Sequence, residues 1–254
     1  MSDERPEEPF FVGYLATPEG LKPFLAFLGT ALILGALVIG YLVAATQSDP
    51  GGGAARFDLG RQTVTGVLVP GGYPVLRVTV GNERLPAGRT ILLSGIGKNG
   101  VQDRAAALDG LVTAEGLLLT RGDLDMLQVR GGENGLRAAE GTPPDLPAPE
   151  PLGRWRVTGE LCDGKCYAGI MRPGLGLSHK ACANLCIQGG VPMVMVATAP
   201  LMGYEFLLVT GPDGGEAPPA LLDTTAVLVS LEGEVERIGD LLVLRADPTS
   251  VGAP

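Results

Sequence analysis

The sequence predicts a mainly β protein with one N-terminal transmembrane helix. Two tandem small five-stranded barrels follow, the second carrying a helical insert that contains cysteines and a histidine. Three observations carry this reading. A long segment near the N-terminus has no charge. Two later segments repeat each other. Gly (39) and Pro (21) are abundant while aromatic residues make up 5%, so turns are frequent and long helices few.

The first element is a tail, residues 1–23, whose start MSDERPEEPFF is acidic. The transmembrane helix is expected at 24–46. Phe24 to Ala45 gives 22 residues without a charge; at about 1.5 Å per residue they match the hydrocarbon core of a bilayer, about 30 Å thick. A cleaved leader has a basic start and a shorter apolar run, so an uncleaved anchor is the expectation. Lys22 flanks one end, and Arg56 and Arg61 lie beyond the other, a weak charge asymmetry. The working orientation is that of a single-pass signal anchor in the inner (plasma) membrane, with the C-terminal domains in the periplasm.

Residues 47–60 read as a flexible linker, SDPGGGAARFD at its centre. The first barrel is expected at 61–130, a Pro/Gly-rich linker at 131–153 and the second barrel at 154–247. The repeat supports this division. Val64-Thr65-Gly66 parallels Val157-Thr158-Gly159, and Glu115-Gly116…Gly122-Asp123 parallels Glu232-Gly233…Gly239-Asp240. PVLRVTV (Pro74 to Val80) matches PMVMVAT (Pro192 to Thr198), and ILLSG (Ile91 to Gly95) matches FLLVTG (Phe206 to Gly211). Each copy then offers five short strands with a helical stretch between the third and fourth, Val101 to Gly110 in the first copy. That order suits an OB-type barrel. The GIGKNG stretch, Gly95 to Gly100, lacks the P-loop pattern and reads as a turn without a ligand.

The copies differ in one place. Val64 to Pro74 is 10 residues, whereas Val157 to Pro192 is 35. The surplus forms the insert, residues 161–190, which holds all four cysteines and the only histidine. Ser178 is placed to cap a short helix that Gly189-Gly190 would stop. His179, Cys182 and Cys186 stand at i, i+3 and i+7, on one face of that helix. One reading is a metal centre of Cys166, His179, Cys182 and Cys186, or of the four cysteines with Cys162 included. Three thiolates and an imidazole suit zinc, copper or an iron–sulfur cluster. The other reading is a pair of disulfides, the usual use of four cysteines outside the cytosol. Met193 and Met195 alternate in VPMVMV and are expected to pack in a strand; Met171 and Met202 lie nearby.

The C-x3-C, fifteen-residue, C-x3-C spacing resembles the twin motif of the small mitochondrial translocase chaperones. That resemblance implies the pairs Cys162–Cys186 and Cys166–Cys182. A second resemblance lies in Lys165, Cys166, Tyr167, Met171, His179, Cys182, Cys186, Gly189, Gly190 and Pro192. They are similar to a KCYxGxM…HxxCAxxCIxGGxP motif of uncharacterised bacterial exported or membrane-anchored proteins, and FFVGYL (Phe10 to Leu15) is similar to their N-termini. It implies a core of Cys166, His179, Cys182 and Cys186, with Cys162 dispensable, and no established activity.

Net charge is −9 with pI ≈ 4.7, which argues against nucleic acid as a partner. No G-x-S-x-G, dinucleotide fingerprint or C-x-x-C-H is present, so a non-enzymatic role is favoured. The leading expectation is an accessory or assembly subunit of a membrane complex, respiratory electron transfer being one setting, with that complex's subunits and the membrane as partners. The alternatives are a periplasmic metal or haem carrier, similar in layout to the cytochrome c maturation haem chaperone, and a thiol–disulfide oxidoreductase built on a low-pKa cysteine.

Overall fold

The computed structural model describes residues 17–46 and 51–254. The acidic start, FFVGYL and the beginning of the expected linker lie outside the described residues. The chain divides into two compact units, residues 1–49 and 50–254.

The first unit is a helix, α1 (Lys22–Thr46), entered through a 3-10 turn at Glu19–Leu21. Pro23 is tolerated because the first helical turn has no internal partner for its missing N–H. The helix is apolar on every side. Phe27, Leu32, Ile39 and Tyr41 are all exposed. It is long and apolar enough to cross a membrane.

The second unit is mainly β. Its first half holds β1 (Ala54–Ala55), β2 (Arg61–Val69), β3 (Val75–Val80), β4 (Thr90–Ser94), α2 (Gln102–Ala106), β5 (Leu111–Arg121), β6 (Leu124–Val129) and β7 (Leu136–Ala138). The second half holds β8 (Glu150–Asp163), α3 (Lys180–Gln188), β9 (Met193–Leu201), β10 (Tyr204–Thr210), β11 (Leu228–Ile238) and β12 (Leu241–Gly252). In the second half the strands close into a barrel in the order β10-β12-β11-β8-β9, with β10 and β12 parallel. In the first half β5, β2, β3, β4 and β6 pair in turn, β4 and β6 are parallel, and β6 pairs again with β5. The same five pairings therefore occur twice.

The repeated glycines have a common cause. A Cβ on Gly66 would lie 2.3 Å from the Arg77 carbonyl oxygen, and one on Gly159 2.2 Å from that of Val196. Gly66 lies where β2 passes close against β3, and Gly159 where β8 passes close against β9. Gly122 and Gly239 turn the β5–β6 and β11–β12 hairpins with φ of 56° and 64°, a conformation glycine adopts freely.

The two halves share apolar packing. Tyr73, Val75, Leu119, Leu124 and Met126 from the first half join one buried cluster with Leu161, Tyr167, Val194 and Leu208 from the second. Polar ties reinforce it. Arg89 bonds Asp125 at 2.8 Å and Asp240 at 2.7 Å, and the Thr90 N–H donates to Asp240 at 2.7 Å. The stretches read as linkers are partly built into this body. Ala54 and Ala55 pair with Thr120 and Leu119, and residues 136–138 add a strand beside β5.

Candidate metal centre

The insert leaves the barrel at the end of β8 and returns at β9. Its base is closed by the Asp163–Met193 pair and by the Gly164 N–H donating to the Pro192 carbonyl at 2.8 Å. Strand alternation decides what the insert receives. Cys162 points into the barrel and is fully buried in its apolar core. Asp163, one residue on, points the other way, into the insert.

After Asp163 the chain makes a tight helical turn at Cys166–Ile170 and a 3-10 turn at Leu177–His179, then forms α3. The cap differs from expectation. His179, not Ser178, stands at the N-terminal boundary of α3, and no side-chain oxygen caps it, because the 3-10 turn already uses the His179 N–H on the Gly176 carbonyl at 2.8 Å. The stop is as expected: Gly189 and Gly190 donate back to the last carbonyls of α3, and Gly190 takes φ 87°. The insert is pinned to the barrel by Tyr167 and Ile187 in the core. Asn184 adds a bond to the Leu222 carbonyl and one from the Thr225 hydroxyl.

These constraints gather the predicted ligands. Cys166, His179 and Cys182 place donor atoms within 4.8 Å of one another, and so do Asp163, Cys166 and Cys186. Cys166 belongs to both groups. Donors around a tetrahedral ion with ~2.3 Å metal–sulfur bonds stand roughly 3.8 Å apart, so each triad is near coordination spacing, while His179 and Cys186 fall in different triads. Three sulfurs and one imidazole are a fitting donor set for a transition metal. All four cysteines are free. The Cys162–Cys186 link is not made, because Cys162 lies across the strand in the barrel core, and Cys166 and Cys182 are likewise unbonded. Met193 and Met195 are fully buried in the core, as packing residues.

The polar surroundings are ordered. His179 Nε2 lies 2.9 Å from Asp163 Oδ2, with both side chains buried. This leaves Nδ1 as the ring nitrogen for a metal. A ligating histidine commonly gives its other N–H to a carboxylate in this way. Asp163 Oδ1 accepts the Cys166 N–H at 2.8 Å. Cys166 donates its thiol proton toward Cys186. That bond, assisted by the Lys98 ammonium, pulls the Cys186 thiol down to about 7 and, with burial, pushes Cys166 far up. Burial, with the nearby Asp163 and Glu160 carboxylates, pushes the Cys162 thiol well up.

Sequence reasoning missed Asp163 and Lys98, and placed Lys165 only within the motif, without its loop contacts. Lys98 lies in the Gly95–Gly100 stretch read as a plain turn. Its ammonium donates to Cys182 Sγ at 2.8 Å and stands 3.7 Å from Cys186 Sγ. Lys165 is 2% exposed and donates to the Gly95 and Gly97 carbonyls at 2.5 and 2.8 Å, holding that loop over the cluster. Both loop contacts span about seventy to eighty residues of sequence and had no local signal. Asp163 had one: strand alternation allows only one of Cys162 and Asp163 to face the insert.

No family model matches the chain, and neither curated proteins nor solved structures give a match.

Proposed function

We propose that the protein is a single-pass inner-membrane protein whose periplasmic body, two OB-type barrels in tandem, carries one transition-metal centre. Its role is that of a non-enzymatic accessory or assembly subunit of a membrane complex. The observation that carries the metal assignment is the meeting of buried Cys166 and His179 with half-buried Cys182, the histidine already oriented by Asp163. Cys186 completes the set through Cys166. The repeated strand order supports the OB assignment, and α1 supports the anchor. Membership of a respiratory complex rests on this anchored, non-catalytic layout.

A second reading, a metal carrier, is favoured by the partial exposure of Cys182, since a structural site normally seals all its ligands. Elemental analysis of the detergent-purified full chain tests the metal assignment. About one metal ion per chain is expected, with loss of that ion in Cys182→Ser. Absence of metal from protein purified under reducing conditions and reloaded with zinc and copper salts would remove the assignment.

A further inference from the structure

The cluster has two unlike sides. Cys166, Cys186 and His179 are 2–3% exposed. Cys182 is partly exposed, and beside it lies Met171, 46% exposed, with its Sδ 3.8 Å from Cys182 Sγ. Met171 is not part of the buried core. It stands at the wall of an open cavity of ≈ 360 Å³ that also reaches Cys166, Tyr167, Arg121 and Arg172. An exposed thioether aimed at a thiol is poor packing but a good soft donor.

Resting on the metal assignment above, we propose that the ion this centre takes is copper(I), and that Cys182 and Met171 form the port through which it enters and leaves. Four sulfur donors against one nitrogen is a soft set. Thiolate and thioether ligands select copper(I), whereas zinc draws nothing from a thioether. Copper(I) accepts two or three ligands as readily as four. It passes from Met171 to Cys182 and then to the buried Cys166 and Cys186 by exchanging one sulfur at a time. No electron moves in this sequence: copper stays in the +1 state, and each thiol that binds it gives its proton to solvent.

The charge at the port agrees with delivery as a complex. Lys98 lies on Cys182, Arg121 lies over the Tyr167 ring at 4.4 Å from its centre, and Arg172 reaches the Gly53 carbonyl. These three positive groups favour a negative copper(I) bis-thiolate, against the acidic Asp123 and Glu205 that also act on Tyr167.

The test uses the full chain in detergent, reduced and free of oxygen, titrated with copper(I) and with zinc against chromophoric chelators. Wild-type protein should bind one copper(I) ion and release bound zinc to it. Met171→Leu, close in volume and expected to fold normally by circular dichroism, should weaken copper(I) about tenfold, the scale of an auxiliary group at a metal. It should leave zinc affinity within about twofold. X-ray absorption at the copper edge should show one sulfur fewer in this variant. Zinc held against excess copper(I), or an equal effect of Met171→Leu on both ions, would overturn the choice of copper(I). Binding of neither ion by wild type, or unchanged binding of both in Cys182→Ser, would instead overturn the metal centre itself.

Discussion

At the scale of single residues, the centre depends on a carboxylate that touches no metal-binding sulfur directly. Asp163 orients His179 with one oxygen and holds the Cys166 N–H with the other. Asp163→Asn keeps the shape but reverses the donor at one position, so the histidine loses its fixed tautomer. Metal affinity should fall about 10- to 100-fold, read by chelator competition. The Cys166–Cys186 pair sets a second expectation, for metal-free protein. The Cys186 thiol is lowered to about 7 from an ordinary 9.0, so its contribution to stability is present above the ordinary value and is lost as pH falls through 7. Cys166 is raised, so above the ordinary thiol range it contributes in the opposite sense. The difference in Tm between wild type and Cys186→Ala should therefore grow from pH 6 to about pH 9. A constant difference across that window would refute the pairing. Cys182 and Cys186 were legible in the sequence because helical spacing places them on one side of α3, whereas Cys166 and His179 lie in the turns before it. The role of Lys98 was not, since nothing in Gly95 to Gly100 says which distant loop it covers.

At the scale of elements, the duplicated glycines are the strongest sequence feature, and the structure gives each a steric reason. Gly159→Ala puts a methyl group 2.2 Å from a backbone oxygen of the neighbouring strand, a clash that no side-chain rotation relieves. A loss of about 1–3 kcal/mol or more is expected, as for other overpacked sites, with Gly66→Ala behaving alike; denaturant unfolding measures both. An unchanged midpoint in either would mean that the close approach of the two strands is not what requires glycine there. The positions of the strands were readable from these glycines and from the alternating apolar runs between them. The start of α3 was not, because Ser178 satisfies the local rule for a cap while the preceding 3-10 turn takes over that task. The short strands β1 and β7 were also hidden: Ala54-Ala55 and Leu136 to Ala138 are too short to show a period, and only β5 alongside makes them strands.

At the scale of the whole molecule, the body should unfold as one unit. Tyr73, Leu119 and Met126 are buried against residues of the second half, so neither half keeps its core if the other melts. Calorimetry of the detergent-solubilised chain should show a single transition for the β body. Asp240→Ala, which removes the acceptor for Arg89 and the Thr90 N–H, should lower its midpoint by an amount equivalent to roughly 1–3 kcal/mol without splitting it. Two resolved transitions would mean that the halves are independent. Here the Pro/Gly composition of residues 131–153 pointed to separable domains. Composition reports how a segment is punctuated, but not that the surfaces it joins are apolar and complementary.

One consequence follows from the side of β8 on which Cys162 falls. Its sulfur is sealed in the barrel while the other three belong to the insert. A thiol stain applied to native, stripped protein thus reaches the half-exposed Cys182 before the buried Cys166 and Cys186, and Cys162, which reacts only in denaturant, acts as an internal gauge of barrel integrity. The same tube therefore reports whether a variant has emptied its centre or merely come apart.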